Sequence, residues 1–144
     1  MAKTASHTLT YEQAQQRAAA LCSASEHCIS DMSEKLYRWG LAKQDSEKVI
    51  GYLLDEKYID ERRYALAYAN DKFRFSHWGR AKIRAMLRMQ RISDTDINEA
   101  LDNIDEQQYL EILEGVIEAK RKSIGDDGSY ASRTKIIRFA LQRG

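Results

Sequence analysis

Residues 60–104 of the chain read DERRYALAYANDKFRFSHWGRAKIRAMLRMQRISDTDINEALDNI, and this stretch decides the fold. It contains Asp60, Ser76 and Ser93, whose short polar side chains are suited to accept a hydrogen bond from the first turn of a helix. Each precedes a segment whose apolar residues recur every three or four positions, which is the period of one helix face. The stretch therefore predicts three α-helices joined by short turns.

Similar signals occur on both sides of this stretch. Predicted helix starts fall at Thr10, Ser30 and Asp45 before it and at Asp105 after it, and Gly40 predicts the end of the helix that starts at Ser30. Thr10 is followed three residues later by a glutamine, as in a capping box. The chain contains no proline, which favours helices over a β-rich or loop-rich fold.

The three predicted sets of helices look like copies of one another, with a period of roughly fifty residues. Aligning the middle helix of each set superimposes Met32, Ile83 and Ile136; Leu36, Leu87 and Ala140; and Gly40, Arg91 and Gly144. Three further pairs match, namely Ser76 with Ser129, Arg80 with Arg133, and Lys82 with Lys135.

We therefore predict an all-α fold, in which three tandem three-helix repeats form an elongated, curved array and the last repeat is incomplete. The predicted spans are a flexible leader at 1–9, repeat 1 at 10–59, repeat 2 at 60–104 and a partial repeat 3 at 105–144. Extended arrays of this type usually bind extended partners.

The charges of this chain are sorted into two blocks, although its formal net charge is only +1. Between positions 72 and 91 no acidic residue interrupts a basic block made of Lys72, Arg74, Arg80, Lys82, Arg84, Arg88 and Arg91. Between positions 93 and 118 no basic residue interrupts an acidic block made of Asp94, Asp96, Glu99, Asp102, Asp105, Glu106, Glu111, Glu114 and Glu118. A polyanionic partner would be attracted to the basic block.

On a helical projection, Arg80, Arg84, Arg88 and Arg91 fall within an arc of about 80°, next to an apolar arc that contains Ile83 and Leu87. We call these four residues the arginine column. Such a column suits an external anion, because its members repel one another and guanidinium groups match phosphate or carboxylate. Trp78 lies beside it and could stack on a nucleic-acid base, although packing inside the protein is the simpler role.

The predicted binding residues are Lys72, Arg74, Trp78, Arg80, Lys82, Arg84, Arg88 and Arg91, with Arg133, Lys135 and Arg138 from repeat 3. The alternative is that the arginine column pairs with the acidic block of the same molecule, in part or completely. The sequence leaves both interpretations open.

Several classes of protein are disfavoured. The histidines have no partner at metal-ligand spacing, and the sequence has no glycine-rich phosphate loop. Asp126 with Asp127 is a weak candidate for a cation site. We therefore predict a non-enzymatic protein without a metal or cofactor. Cys22 and Cys28 are expected to be buried, reduced thiols. No membrane span or signal peptide is predicted, so we expect a cytoplasmic location.

Several segments resemble the RecX family of recombination regulators, from about Ala18 to Gly144. The most specific are YIDERRYALAY at residues 58–68 and GRAKIRAML at residues 79–87. Cys28 and Met32 stand where the family usually has Ser and Leu, and the last unit of the family normally continues past the Arg-Gly at 143–144.

The resemblance implies an all-α regulator, built of three three-helix repeats, that binds the groove of the RecA filament on single-stranded DNA. It implies inhibition of the ATPase, strand-exchange and co-protease activities of RecA in the cytoplasm, without a cofactor and with weak or indirect contact to DNA. The alternative is a helical protein that acts directly on DNA. We expect a monomer in either case.

Overall fold

The computed structural model describes residues 9–144, so the leader predicted for residues 1–9 lies outside the described range apart from Leu9. This part of the chain contains eight α-helices and no strand, which confirms the predicted all-α fold. The helices are α1 (Tyr11–Ala24), α2 (Ile29–Arg38), α3 (Lys43–Asp55), α4 (Glu61–Ser76), α5 (Arg80–Met89), α6 (Asp94–Asp102), α7 (Glu106–Ile124) and α8 (Tyr130–Gln142).

The described residues divide into two compact units. The first contains the residues up to Tyr64 together with Gln90–Ile92, and the second contains Ala65–Met89 and Ser93–Gly144. The boundary therefore lies inside α4 rather than at the predicted repeat boundary between residues 59 and 60. The spans proposed for the individual repeats stay predictions.

In the first unit, α3 packs against both α1 and α2. Met32 and Leu36 of α2 are fully buried, as are Val49 and Leu53 of α3. The same i, i+4 spacing appears in both helices, so each presents one apolar face to a shared core. Ala14 and Ala18 of α1 are fully buried in the same core.

In the second unit, α5 packs on α6 and α7 packs on α8. Ile83 and Leu87 of α5 are fully buried, which confirms the apolar arc predicted from the helical projection. Ile97 and Leu101 of α6, the helix that packs on α5, are also buried and have the same four-residue spacing. No residue of α7 is fully buried, so this helix is covered less completely than α5.

Five helix starts follow local capping chemistry. The hydroxyl of Thr10 accepts a hydrogen bond from the amide of Gln13, whose side chain reaches back to the Thr10 amide, which confirms the predicted capping box. Side chains of the remaining four cap residues accept an amide hydrogen bond in the same way, and these residues are Asp60, Ser93, Asp105 and Ser129.

Three predicted starts are wrong. Helix α2 begins at Ile29 rather than after Ser30, α3 begins at Lys43 so that Asp45 lies within its first turn, and Ser76 is the last residue of α4. Helix α5 therefore begins only at Arg80.

The first amides of α2 and α5 are bonded by side chains that lie far away in the sequence. In both cases the side chain belongs to the first helix of the next predicted repeat. The Glu61 carboxylate of α4 accepts a hydrogen bond from the Ile29 amide at 2.8 Å. The Tyr109 hydroxyl of α7 accepts one from the Arg80 amide at 3.4 Å. Ile29 and Arg80 are equivalent, since both are the first residue of a middle helix, so the same type of contact occurs twice.

The three residues aligned at the ends of the middle helices share one backbone conformation. The φ angles of Gly40, Arg91 and Gly144 are 84°, 61° and 94°. This left-handed region is favourable for glycine and costs an L-residue with a side chain roughly 1–2 kcal/mol. The shared conformation supports the alignment, and Arg91 is the position where a bulkier residue replaces glycine.

We expect Arg91→Gly to raise the free energy of unfolding by about 1 kcal/mol, because glycine adopts this φ without the clash of a Cβ atom. The stability of both proteins is measured by urea denaturation. Arg91→Ala is the matched control, since it removes the same charge and keeps the Cβ atom. Equal stability of the Gly and Ala variants would contradict the assignment of backbone strain to Arg91.

Candidate interaction surface

The arginine column is only partly the surface that the sequence predicted. Arg80, Arg84 and Arg88 lie on α5, beside its buried face of Ile83 and Leu87. Arg91 lies beyond the helix end in a left-handed conformation, so the helical projection does not apply to it, and it belongs to the first unit.

Arg80 is held by several contacts within its own unit. Its guanidinium group forms an ion pair with Glu106 at 3.1 Å and lies 4.2 Å from the centre of the Tyr109 ring. It also donates a hydrogen bond to the Ile104 carbonyl oxygen at 3.5 Å, and only 31% of the side chain is exposed. Arg80 thus connects α5 to the turn between α6 and α7, and little of its charge remains for a partner.

Arg84 and Arg88 face α6. Arg84 donates a hydrogen bond to the Asn98 side-chain oxygen at 2.7 Å, and Arg88 forms a 3.3 Å ion pair with Asp94. The interpretation that the column pairs with the acidic block of the same molecule is therefore correct in part. Arg88 keeps 58% of its side chain exposed, and exposed ion pairs of this type contribute about 0–1 kcal/mol, so a stronger anion could displace Asp94.

Two lysines of the basic block lie on a different face and meet at Trp78. The Lys72 ammonium is 4.8 Å and the Lys82 ammonium 4.4 Å from the centre of the indole ring. Tyr68 completes this group, because its ring lies 6.5 Å from that of Trp78 in an edge-on arrangement and 5.5 Å from the Lys72 ammonium. We call Tyr68, Lys72, Trp78 and Lys82 the Trp78 cluster.

Within residues 9–144, no carboxylate forms an ion pair with either lysine of the Trp78 cluster. The indole ring attracts both cations and fixes their positions, and it leaves their positive charge in place. Each of these ammonium groups can bind a phosphate or a carboxylate. The cation contacts also make Trp78 less suited to base stacking than the sequence alone suggests.

Among the described residues, no contact joins the other predicted binding residues to the Trp78 cluster. Arg74 is exposed near the end of α4, whereas Arg133, Lys135 and Arg138 point in different directions around α8. No carboxylate in the described range pairs with these four residues or with Arg91.

The sequence did not identify Tyr68 and Tyr109 as members of basic clusters. Tyr109 stacks on the buried ring of Phe73, with ring centres 5.7 Å apart, and lies under the guanidinium group of Arg80. Tyrosines at helical spacing look like ordinary packing residues, and only the three-dimensional structure shows which cation each one meets.

The remaining candidates for chemistry have structural roles. Burial raises the pKa of the Cys28 thiol to about 11 and also raises that of Cys22, so neither thiol is an activated nucleophile. Hydrogen bonds from Ser129 and Ser132 lower the pKa of Asp127 to about 2 and fix the turn before α8. Asp126 pairs with Arg121 in the same turn, so the suggested cation site is occupied by internal contacts.

Two kinds of feature are absent from the described residues. No group of three or more His, Cys, Asp or Glu residues in the range 9–144 is placed to hold a metal ion. None of the helices α1–α8 is long and apolar enough to cross a membrane.

Comparison with known proteins identifies the family. Residues 60–101 match the domain family described as RecX, second three-helix domain. The protein called regulatory protein RecX of Vibrio campbellii is 30% identical over 126 residues, which cover 86% of this chain and 78% of that protein. The chain belongs to the RecX family.

The chain is also similar to a longer RecX protein and to a RecX crystal structure. The RecX of Leuconostoc mesenteroides is 25% identical over 122 residues, and the matched part is only 46% of that protein. The crystal structure of RecX from Lactobacillus salivarius has 21% sequence identity and a TM-score of 0.81, covering 93% of this chain and 87% of that one. This structure supports the all-α fold.

The structure distinguishes basic side chains that are held by contacts within the protein from basic side chains that are exposed to a partner. Stability measurements can test this distinction. We expect Arg80→Ala to lower the free energy of unfolding by about 1–3 kcal/mol, because it removes an ion pair, a hydrogen bond and a cation–aromatic contact. The matched control is Arg74→Ala, which removes an exposed arginine that has none of these contacts and should change stability by less than about 0.5 kcal/mol. Urea denaturation of both variants measures the difference, and equal losses would contradict the structural role of Arg80.

Proposed function

We propose that this chain regulates the RecA recombinase by binding in the groove of the RecA–DNA filament. In this proposal it inhibits the ATPase, strand-exchange and co-protease activities of RecA, acts by binding rather than by catalysis, and works in the cytoplasm without a cofactor. Membership of the RecX family carries the proposal, because the relatives are named regulatory proteins. The proposal covers partners and activities that belong to whole RecX proteins, some of which are much longer than the matched region.

The distribution of charge supports contact with the DNA of such a filament. The lysines of the Trp78 cluster are fixed in position and have no internal ion pair in the described range, so DNA phosphates can bind them without breaking an existing contact. Arg84 and Arg88 must first release Asn98 and Asp94. We therefore place the stronger phosphate contact at Lys72 and Lys82 and a weaker one on the arginine column.

The acidic block supports selectivity for the filament over bare DNA. Helix α6 packs on α5 and carries Asp94, Asp96, Glu99 and Asp102, of which Asp94 forms an ion pair with Arg88. Negative charge beside a basic surface repels a second DNA segment and weakens nonspecific binding. Contacts with a protein surface of the filament can supply the binding energy that contacts with DNA phosphates do not supply.

We expect Lys72→Gln combined with Lys82→Gln to require roughly tenfold more protein for half-inhibition of the RecA ATPase on single-stranded DNA, because two phosphate contacts are lost. ATP hydrolysis is followed at a stated salt concentration across a titration of each protein. Circular dichroism and urea denaturation establish that the variant keeps its fold.

The matched control for this experiment is Arg84→Gln combined with Arg88→Gln, which removes the same amount of charge from the internally bonded column. Its effect on inhibition should be smaller than that of the lysine pair. A larger effect would move the main contact to the arginine column, and full inhibition by both double variants would exclude the basic block as the contact.

The second candidate function is direct binding to DNA by the helical protein itself. It is favoured by the predicted binding residues that form no ion pair within residues 9–144, among them Lys72, Arg74, Lys82, Arg91, Arg133, Lys135 and Arg138. Under this alternative, the protein would inhibit RecA by competing with it for DNA.

Fluorescence anisotropy with random-sequence single-stranded and duplex DNA, in the absence of RecA, separates the two candidates. We expect weak binding that falls steeply with salt and shows no sequence preference, because the contacts are to phosphates. Binding that is as tight as the half-inhibitory concentration for the ATPase would favour direct action on DNA. A preferred duplex site that binds orders of magnitude more tightly than random DNA would point to a sequence-specific regulator.

A further inference from the structure

A cleft lies between α7, the end of α8 and the turn that connects α4 to α5. Its volume is about 430 Å³. Ligand sites in proteins usually have volumes of roughly 300–1,000 Å³. The apolar side chains that line the cleft are Ile112, Val116, Ala119 and Phe139, and Gly115 of α7 adds a surface without a side chain. We call it the Phe139 cleft.

Two cations line the cleft beside the Phe139 ring. The Lys120 ammonium lies 4.9 Å and the Arg143 guanidinium 5.2 Å from the centre of that ring. Within residues 9–144 neither side chain forms an ion pair, and the Nε atom of Arg143 is buried without a hydrogen-bond partner. A buried guanidinium nitrogen of this kind favours a ligand that brings a hydrogen-bond acceptor.

The lining of the cleft contains no carboxylate in the part of the chain that the structure describes. Two of the acidic residues of α7 have other contacts, because Glu111 accepts a hydrogen bond from Gln107 and Glu118 pairs with Arg121. The positive charge at the Phe139 cleft therefore has no counter-charge in the lining. A ligand that carries carboxylates fits this charge.

The Phe139 cleft is not on the side of α8 where a third helix of the repeat would pack. In repeat 2 the third helix, α6, lies against Arg88 of α5, which is aligned with Leu141 of α8. Phe139 and Arg143 each lie about 160° around α8 from Leu141. A third helix placed as α6 is placed would therefore leave the cleft open.

The lining favours an apolar side chain over a nucleic-acid base. A base carries several donors and acceptors along its edge, and apart from the two cations only the side chains of Ser123 and His77 could pair with them. An unpaired polar edge would lower the affinity, whereas a leucine or phenylalanine side chain buries its surface without this loss. The cleft therefore fits an apolar side chain with carboxylates beside it.

The rim of the cleft favours a peptide segment over a small free molecule. Gly115, Ala119 and Ser123 are exposed, so the cleft is open to solvent along α7. Sites for small molecules usually bury most of the ligand surface, which an open cleft cannot do. A segment of polypeptide extends beyond the cleft and gains further contacts on both sides of it.

We propose that the Phe139 cleft binds an acidic segment of another protein, which inserts a bulky apolar side chain between α7 and α8 and places its carboxylates on Lys120 and Arg143. This inference goes beyond the proposed function, since binding requires neither DNA nor a filament. Residues 1–8 contain no Asp or Glu, so they lack the charge that this site requires. Because one short segment makes the contact, we expect micromolar rather than tighter binding.

The test uses a synthetic peptide of about ten residues, with phenylalanine and leucine at its centre and glutamates on both sides. We expect this peptide to bind the 144-residue protein with micromolar affinity by isothermal titration calorimetry, and binding should weaken with salt. A peptide with lysine in place of glutamate, and one with serine in place of the apolar residues, should each bind at least about tenfold more weakly. Equal affinity of either control peptide, or no binding of the first peptide, would overturn the inference.

Two matched glycine variants locate the binding. A Cβ atom added at Gly115 or at Gly51 meets nothing within 4 Å apart from the backbone of its own helix, so a side chain can begin at either position without a clash. Glycine disfavours a helix interior, so both variants should keep the fold. Gly115→Phe fills the cleft and should weaken binding of the glutamate peptide at least about tenfold, whereas Gly51→Phe, on α3, should leave it unchanged. Equal effects of the two changes would overturn the inference.

Variants of the two cations test the charge contact. Lys120→Gln combined with Arg143→Gln should weaken binding of the glutamate peptide at least about tenfold, because both partners of its carboxylates are lost. The matched control is Lys48→Gln combined with Arg17→Gln, which removes the same charge from the first unit. Arg17 resembles Arg143 in that it lies over an aromatic ring, 4.7 Å from the centre of Trp39. Undiminished binding by the first double variant, or an equal loss in the control, would overturn the inference.

Three further measurements distinguish other occupants of the cleft. A single-stranded oligonucleotide that binds the protein but not the Gly115→Phe variant would mean that the cleft takes a base, and this would overturn the inference. Phenylacetate that binds as tightly as the peptide would assign the cleft to a free aromatic acid, with the same consequence. Analytical ultracentrifugation would overturn the inference if it showed a dimer that Gly115→Phe dissociates, because the occupant would then be a second copy of the chain.

Discussion

Burial of two apolar residues one turn apart in each middle helix is the constraint on which the rest of the structure depends. Met32 with Leu36 and Ile83 with Leu87 are completely removed from water, and each such side chain contributes roughly 1.5–3 kcal/mol. Their burial fixes the rotation of α2 and α5. Once α5 is fixed, Arg80, Arg84 and Arg88 must lie along the edge of the core, with their stems packed and their charged groups at the surface.

The rotation of α5 also divides the basic block into two groups with different roles. The arginines turn towards α6 and the start of α7, where acidic and amide side chains receive them. Lys82 turns to the other side, where it shares Trp78 with Lys72. The basic block looks uniform along the sequence, but its arginines on α5 bond to other side chains of the protein, whereas its two lysines at Trp78 keep their charge available to a partner.

The sequence predicts this structure best where the deciding contacts are local. The caps at Thr10, Asp60, Ser93 and Asp105 could be identified because each side chain bonds an amide three residues away. The periodic apolar residues revealed the core face of α5 for the same reason. The repeat alignment placed the end of a middle helix at Arg91, and the structure adds that this residue is left-handed, as its aligned glycines are.

Prediction fails where the partner of a group comes from a distant part of the chain. The starts of α2 and α5 were misplaced because Glu61 and Tyr109, from later helices, bond the first amide of each. The candidate site shows the same limit. A row of arginines was visible in the sequence, but their pairing with Asp94, Asn98 and Glu106 depends on how two helices lie against each other.

The side chains that hold the starts of α2 and α5 have a consequence for synthesis on the ribosome. Each middle helix leaves the exit tunnel before the residue that completes its first turn, because Glu61 follows Ile29 by 32 residues and Tyr109 follows Arg80 by 29. At typical translation rates this delay lasts a few seconds, far longer than helix formation. In these two helices, the side chain that completes the first turn therefore belongs to a segment that is synthesised later.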